Sequence, residues 1–357
     1  MNNFCLTING LQVTPGRLPA LQGKLDADLL QFLEQWASDE ETLPVLTSGS
    51  TGAPKRVNVA KKAMIASAEA TLKALTIDPG KLMYLCMPVR YIAGKMMLVR
   101  AIVAHMEIVA RPPVANPFAY SDLPDIHFVA LTPMQMTCAL QCRETAEKIM
   151  NSDKILLGGG PISPELERQI ALFPHEVWSS YGMTETLSHI ALRRLSGHHP
   201  EASYYPLPGV DLATDHRGAL VITAPYLAQE PILTNDRVEL LTDGSFVVLG
   251  RIDNVINSGG VKIQVEEIED KLKCVLPIPL MLTSRPHPVL GEEVVLLLPQ
   301  AEATHIDTLR AIFATLPRYH APRHILLVDE LPFTATDKPA RQRAKLLAAA
   351  PLAIIPV

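Results

Sequence analysis

The chain has 357 residues, 48% hydrophobic and 19% charged, with 19 Gly and 30 Pro, a length and balance that fit two packed domains and exclude both a disordered segment and a coiled coil. Its 32 Lys and Arg against 37 Asp and Glu give a formal net charge of −5, and no segment concentrates basic residues, so a nucleic-acid partner is not expected. No apolar run reaches about 18 residues, and the start MNNFCLTINGLQVTPG has no basic flank followed by an apolar stretch, so neither membrane insertion nor a signal peptide is expected.

Leucines and Trp36 at spacings of three and four predict a helix over 20–38. LPVLTS then reads as a short buried strand entering a Gly/Ser/Thr loop, with a helix over KKAMIASAEATLKALTI behind it. LMYLCMPV is a predicted strand and AGKMMLVRAIVAHM a helix; EIVA and IHFVAL are strands, followed by one helix near 133–149. KILLGG, a helix from Pro164 and HEVWSSYG complete an alternation that favours an α/β domain with a largely parallel sheet. After about residue 205 the segments ALVITAP, RVELLTDGSFVVLGR and DNVINSGGVKI are short and β-rich. VEEIEDKLKCV and HIDTLRAIFATL are helical, HPVLGEEVVLLLP and RHILLVDELP hold strands, and the final AAAPLAIIPV packs on a surface or frays. The five cysteines read as mostly buried thiols of a reduced, cytoplasmic protein, with Cys138 and Cys142 on one helix.

The stretch VLTSGSTGAPKRV, Val45 to Val57, concentrates the first chemistry. Gly49 and Gly52 let backbone N–H groups converge, Ser50 and Thr51 add hydroxyl donors, and Lys55 adds a positive charge: an anion nest, to which the following helix lends its positive end. Pro54 before the lysine rules out a Walker A loop. Locally, a solvated Ser/Gly linker is an equal reading.

Five more segments make the reading specific. TSGSTGAPK (Thr47–Lys55), GGGPISPEL (Gly158–Leu166), YGMTE (Tyr181–Glu185), TND (Thr234–Asp236), GRIDNVINSGGVKIQVEEIE (Gly250–Glu269) and LPFTATDKPARQ (Leu331–Gln342) occur in that order. Together they resemble the signature set of the adenylate-forming acyl-CoA synthetase superfamily. Within it, CMPVRYIAGKMMLVRA (Cys86–Ala101), FVALTPMQM and KILLGGGPISPEL are most similar to the o-succinylbenzoate–CoA ligases of menaquinone biosynthesis. Only 46 residues precede Thr47, fewer than in full-length members, which leaves the edge of the acyl pocket and a homodimer surface open.

The resemblance implies a large N-terminal adenylate-forming domain over 1–250 with parallel sheet layers, then a small mobile α+β domain over 251–357, hinged near Asp253. It implies ATP, Mg2+ and coenzyme A as cofactors and substrates, and an aromatic carboxylic acid as the group activated. Thr47, Ser48, Ser50, Thr51 and Lys55 would hold the β and γ phosphates. Gly158, Gly159 and Gly160 would approach adenine, Tyr181 would lie against it beside Gly182, and Asp236 and Arg251 would meet the ribose. Thr184 and Glu185 are placed at the α-phosphate and at Mg2+, a hard cation suited to a carboxylate oxygen. Lys338 is the expected adenylation lysine, and Ser258, Gly259 and Gly260 the loop along coenzyme A. Asn235 and Asp337 stand where relatives carry glycine; asparagine tolerates positive φ.

For the acyl pocket, Arg90 is the first candidate, with Ser188, His189, Thr132 and Gln135 behind it. A helix cap is as good a role for Thr132. Three functions stay open on the sequence: ligation of o-succinylbenzoate to coenzyme A, activation of another acid for coenzyme A or a carrier protein, and nucleotide sensing without turnover.

Overall fold

The computed structural model describes residues 3–46, 56–197, 200–334, 338–349 and 354–356. Thr47, Ser48, Ser50, Thr51 and Lys55 of the anion-nest motif, and Asp337, lie outside the described residues.

A nine-stranded sheet organises the first half. Its order is Tyr205–Pro206, His189–Arg194, Glu176–Gly182, Lys154–Leu157, Phe128–Leu131, Leu82–Leu85, Glu107–Ala110, Leu6–Ile8 and Leu11–Val13. The six strands from Glu176–Gly182 to Leu6–Ile8 run parallel, and antiparallel strands close each edge. Both faces are covered. Met83, Leu85, Phe128 and Ala130 join the core with Phe32, Trp36, Met64 and Leu98, while Tyr84, Cys86, Val129 and Leu131 join the opposite one with Met136, Leu166 and Ile170. Strands buried on both faces read as continuous apolar runs, as FVAL and KILL do.

A four-stranded antiparallel sheet follows, in the order Asp211–Thr214, Ala219–Thr223, Ile232–Leu240 and Phe246–Arg251. Beyond it, a six-stranded sheet is built from Val255–Ser258, Val261–Gln264, Met281–His287, Gly291–Pro299, His324–Val328 and Ile354–Pro356. One face packs on the helices Val265–Val275 and Ile306–Phe313 through Ile268, Leu272, Leu309 and Phe313; the other packs on Ala344 and Ala348 of the helix Arg341–Ala349. The expected α/β class, a large parallel-sheet domain and then a smaller α+β region, is what the chain adopts.

Several expectations are corrected. The helix predicted over 20–38 begins at Ala27, because Gly23 takes φ +76° and Asp26 caps the start, accepting from the N–H groups of Asp28 and Leu29 at 3.0 and 3.2 Å. Thr42–Leu46 is one arm of a separate two-stranded sheet; its antiparallel partner Arg56–Ala60 stands between the motif and the helix Lys61–Ala74. The helix itself starts at Lys61, where the segment KKAMIASAEATLKALTI predicts it; the unforeseen element is the alternating strand RVNVA before it.

The helix near 133–149 is two, Pro133–Leu140 and Arg143–Met150, with Cys142 extended between them and Thr145 Oγ1 bonded to Ala139 O at 2.6 Å. Cys138 thus lies in the first helix and Cys142 in the link after it, and of the five free cysteines only Cys86 is buried. Asn235 needs no positive φ, being inside the strand Ile232–Leu240. The terminal Ile354–Pro356 is an edge strand paired with His324–Leu326.

Candidate active site

Tyr181 ends the strand Glu176–Gly182, where the parallel sheet meets the antiparallel one. Its ring stands edge-on to Phe246, centroids 5.1 Å apart, and its hydroxyl donates to Asp236 Oδ2 at 2.6 Å. Asp236 and Arg251 face each other on neighbouring strands, and Arg251 donates to Asp236 Oδ1 at 3.0 Å and to Asp253 Oδ2 at 2.7 Å. Burial first, then the Asp236 carboxylate, pushes the Tyr181 hydroxyl far above its ordinary range, so it remains a donor.

Lys338 comes from the other end of the chain to lie within reach of these charges. Its ammonium is half-buried and makes no ion pair among the described residues. Burial and the positive Arg251 lower its pKa, with Asp236 and Glu185 partly restoring it. The structure thus joins Tyr181 and Arg251 through Asp236, and the charges of Arg251, Asp236 and Glu185 all act on Lys338.

The loop carrying Thr184 and Glu185 is tightly tied. Thr186, fully buried, accepts from Met183 N–H at 2.9 Å and is within 2.7 Å of Ser188 O, which holds Leu187 at φ +61°. A bulky residue in that region marks stored strain, a recurring feature of functional sites. Gly182 is required here, since a Cβ would lie 2.3 Å from Ser188 O. Glu185 projects into solvent and Thr184 is half-buried.

Gly158 follows the strand Lys154–Leu157, its N–H bonded to Leu131 O at 3.1 Å. Gly159 and Gly160 line a cavity of about 230 Å³ whose far wall includes Glu269, Phe333 and Pro339. Ser258 is buried, and Gly259 and Gly260 turn the hairpin between Val255–Ser258 and Val261–Gln264 at φ +60° and +83°, Gly259 lying against Tyr319 and Leu290. Thr132 and Gln135 form a reciprocal capping box on the helix Pro133–Leu140, and Gln135 also donates to Cys86 O and Val114 O at 3.2 and 3.1 Å. Arg90 is exposed, its guanidinium 5.2 Å from the ring centre of Tyr91.

Ser188 and His189 belong to a buried polar chain. Thr71 Oγ1 donates to Ser67 O at 3.0 Å, so it accepts from His189 Nε2–H at 3.2 Å. His189 Nδ1 then accepts from the Ser188 hydroxyl at 3.3 Å, and Ser188 Oγ accepts from Arg100 Nη2. Arg100 is 3% exposed, has no carboxylate partner among the described residues, and its Nε is buried without a partner. Burial pushes the guanidinium down to about 10, and burial with that neighbouring charge keeps His189 neutral, well below its ordinary range.

The model of the family described as AMP-binding enzyme matches residues 18–221, more than half of the chain. The chain belongs to the AMP-binding enzyme family. It is 29% identical over 282 residues to a 2-succinylbenzoate–CoA ligase of Salmonella typhimurium, covering 74% of this chain and 59% of that protein. The crystal structure of an acyl-CoA synthetase (AMP-forming)/AMP-acid ligase II-like protein from Dyadobacter fermentans matches with TM-score 0.61 and 37% identity, over 91% of this chain and 94% of that one. An o-succinylbenzoate CoA synthetase from Bacillus subtilis, in complex with an acyl-adenylate intermediate, shares the fold with TM-score 0.72 and 22% identity, over 85% of this chain and 68% of that one.

In this member of the AMP-binding family, sequence reasoning passed over Arg100, Thr186 and Leu187. The signal for Arg100 is a lone cation in the apolar run MMLVRAIVA, which helical spacing reads as core. No local signal marks Leu187, because its φ is imposed by the hydrogen bonds of Thr186.

Proposed function

We propose that the protein is an ATP-dependent acid–CoA ligase acting through an acyl-adenylate, with o-succinylbenzoate as the acid. A carboxylate oxygen attacks the α-phosphorus of ATP and the bond to the bridging β-phosphate oxygen breaks, releasing pyrophosphate. The sulfur of the coenzyme A thiolate then attacks the acyl carbon, and AMP leaves with the electron pair of the acyl–oxygen bond. The observation that carries this reading is that half-buried Lys338, which makes no ion pair among the described residues, feels the charges of Asp236 and Arg251 from more than 80 residues away in the chain.

In this reading Asp236 accepts from ribose hydroxyls, Tyr181 holds one of its oxygens, and Lys338 bridges the incoming carboxylate and the α-phosphate, where negative charge moves. Magnesium fits the exposed carboxylate of Glu185, a hard oxygen donor that would hold the ion. When bound it offsets repulsion between phosphates and carboxylate. Thr47, Ser48, Ser50, Thr51 and Lys55 are assigned to the phosphates, Gly158, Gly159 and Gly160 to adenine, and Thr184 to the α-phosphate. Asp253 is the hinge, and Ser258, Gly259 and Gly260 meet coenzyme A after the C-terminal region swings.

The acid's second, unreacted carboxylate is placed against Arg100 and Ser188, with His189 behind. Arg90 is the weaker choice, because an exposed guanidinium over its neighbour gives up little water-bound energy to an incoming anion.

Pyrophosphate release across a panel of carboxylic acids, with and without coenzyme A, tests the proposal. Release with o-succinylbenzoate and conversion to a thioester only with coenzyme A is the expected result; ATP binding without pyrophosphate from any acid would sink it. Because Lys338 titrates below an ordinary lysine, adenylation is lost on the alkaline limb at lower pH than the 10.5 of a free side chain. The Lys338→Arg variant moves that limb upward, whatever its residual rate.

A further inference from the structure

Three residues after Lys338, Arg341 opens the helix Arg341–Ala349. Its Nη1 and Nη2 donate to Glu269 Oε1 and Oε2 at 2.6 and 2.8 Å, and Nη1 also donates to Leu282 O at 3.0 Å. Glu269 is 5% exposed and its Oε1 accepts from Leu282 N–H at 2.7 Å. One planar fork therefore joins the helix Val265–Val275, the strand Met281–His287 and the helix Arg341–Ala349. Between the fork and the lysine, Ala340 N–H is bonded to Pro332 O at 2.9 Å, Phe333 pairs with Pro339, and Lys338 and Thr334 exchange bonds at 2.8 and 3.1 Å.

From this geometry we infer that Glu269 and Arg341 are positioning residues that hold the backbone of Lys338 so that its ammonium stays at the Asp236–Arg251 pair. A buried ion pair is poor evidence for stability, since desolvation cancels most of its attraction, but its bidentate geometry fixes direction. Direction matters here because lysine is a point charge on a flexible stem, and its aim is set by where its Cα is held. A displacement near 1 Å costs about 100-fold in rate for a group acting on a reacting centre. The inference rests on the adenylation reading, and its tests separate the two.

Arg341→Lys keeps the charge and loses the fork. We expect kcat for pyrophosphate release to fall about 10- to 100-fold with KM for ATP within about twofold, while thioester formation from supplied acyl-adenylate stays within about twofold of the wild type. Glu269→Gln, which retains shape and one acceptor, gives a smaller loss of the same kind and serves if Arg341→Lys does not fold. A second readout needs no turnover: acetic anhydride labelling of Lys338, followed by mass spectrometry, is slow in the wild type and faster in both variants. Unchanged labelling together with an unchanged kcat, or an equal loss of both half-reactions, overturns the positioning role. If the wild type releases no pyrophosphate with any acid, the adenylation reading fails while the labelling contrast still decides the inference.

Discussion

Arg100 is buried and Arg341 half-buried, and each has a buried Nε without a partner among the described residues. Their charges are met differently. Arg341 is gripped by Glu269, whose hydrogen bonds and charge outweigh burial and raise its pKa; among the described residues Arg100 bonds to Ser188 Oγ and Met97 Sδ, the latter at 3.8 Å, and burial lowers it to about 10. A buried cation costs several kcal/mol unless an anion answers it. Arg341 has its answer built into the chain; in the proposed function Arg100 is left for the substrate carboxylate.

The largest expected effect breaks the comparison at its stability end. Arg341→Met strands the Glu269 carboxylate in the core and costs about 3–5 kcal/mol of folding stability, whereas Arg100→Met abandons no acid and is neutral or stabilising. Urea unfolding of the full chain measures both. Equal losses would mean that Arg100 has a carboxylate partner in solution.

The binding end gives the next largest effect. If Arg100 receives the free carboxylate of the substrate, Arg100→Met weakens the acid by about 2 kcal/mol or more, on the order of 30-fold in KM, with the KM for ATP nearly unchanged. Steady-state pyrophosphate release with each substrate varied in turn reads this. A KM for acid that stays within about twofold would leave Arg100 a costly piece of core and return Arg90 to consideration.

The same pair shows what the sequence makes legible. Strand and helix alternation and the parallel sheet follow from apolar periodicity, whereas Tyr181, Glu185, Asp236, Arg251 and Lys338 are singled out only by the resemblance that their motifs carry. Local signals fail where long-range packing decides. LTSRPH gives no alternation to mark Met281–His287, yet that strand lies along Gly291–Pro299 for its whole length. Arg341 reads as part of a basic tail because Glu269, 72 residues earlier, is what buries it. Arg100 reads as an anomaly in a core helix because Ser188 comes from a different strand loop. Pairings of this kind exist only once the sheets are assembled.

The smallest effect lies in the histidine behind Arg100. His189 is packed by Thr71 from the helix Lys61–Ala74, by Ser188 on its own loop and by Arg100 from the helix Ile92–Ala104, and none of these is an acid. Its folded pKa is well below the ordinary 6.5, so its contribution is intact above that value and is lost as pH falls through the interval below it, where only the unfolded chain takes the proton. The slope is about 1.4 kcal/mol per pH unit. His189→Gln preserves the donor to Thr71 and the acceptor for Ser188 but does not titrate, so urea midpoints of wild type and variant diverge by that slope between pH 6.5 and 5.5. In the Arg100→Met background the folded pKa rises because a neighbouring positive charge is gone, and the divergence ends at a higher pH. Equal curves in both backgrounds would show that Arg100 does not act on His189.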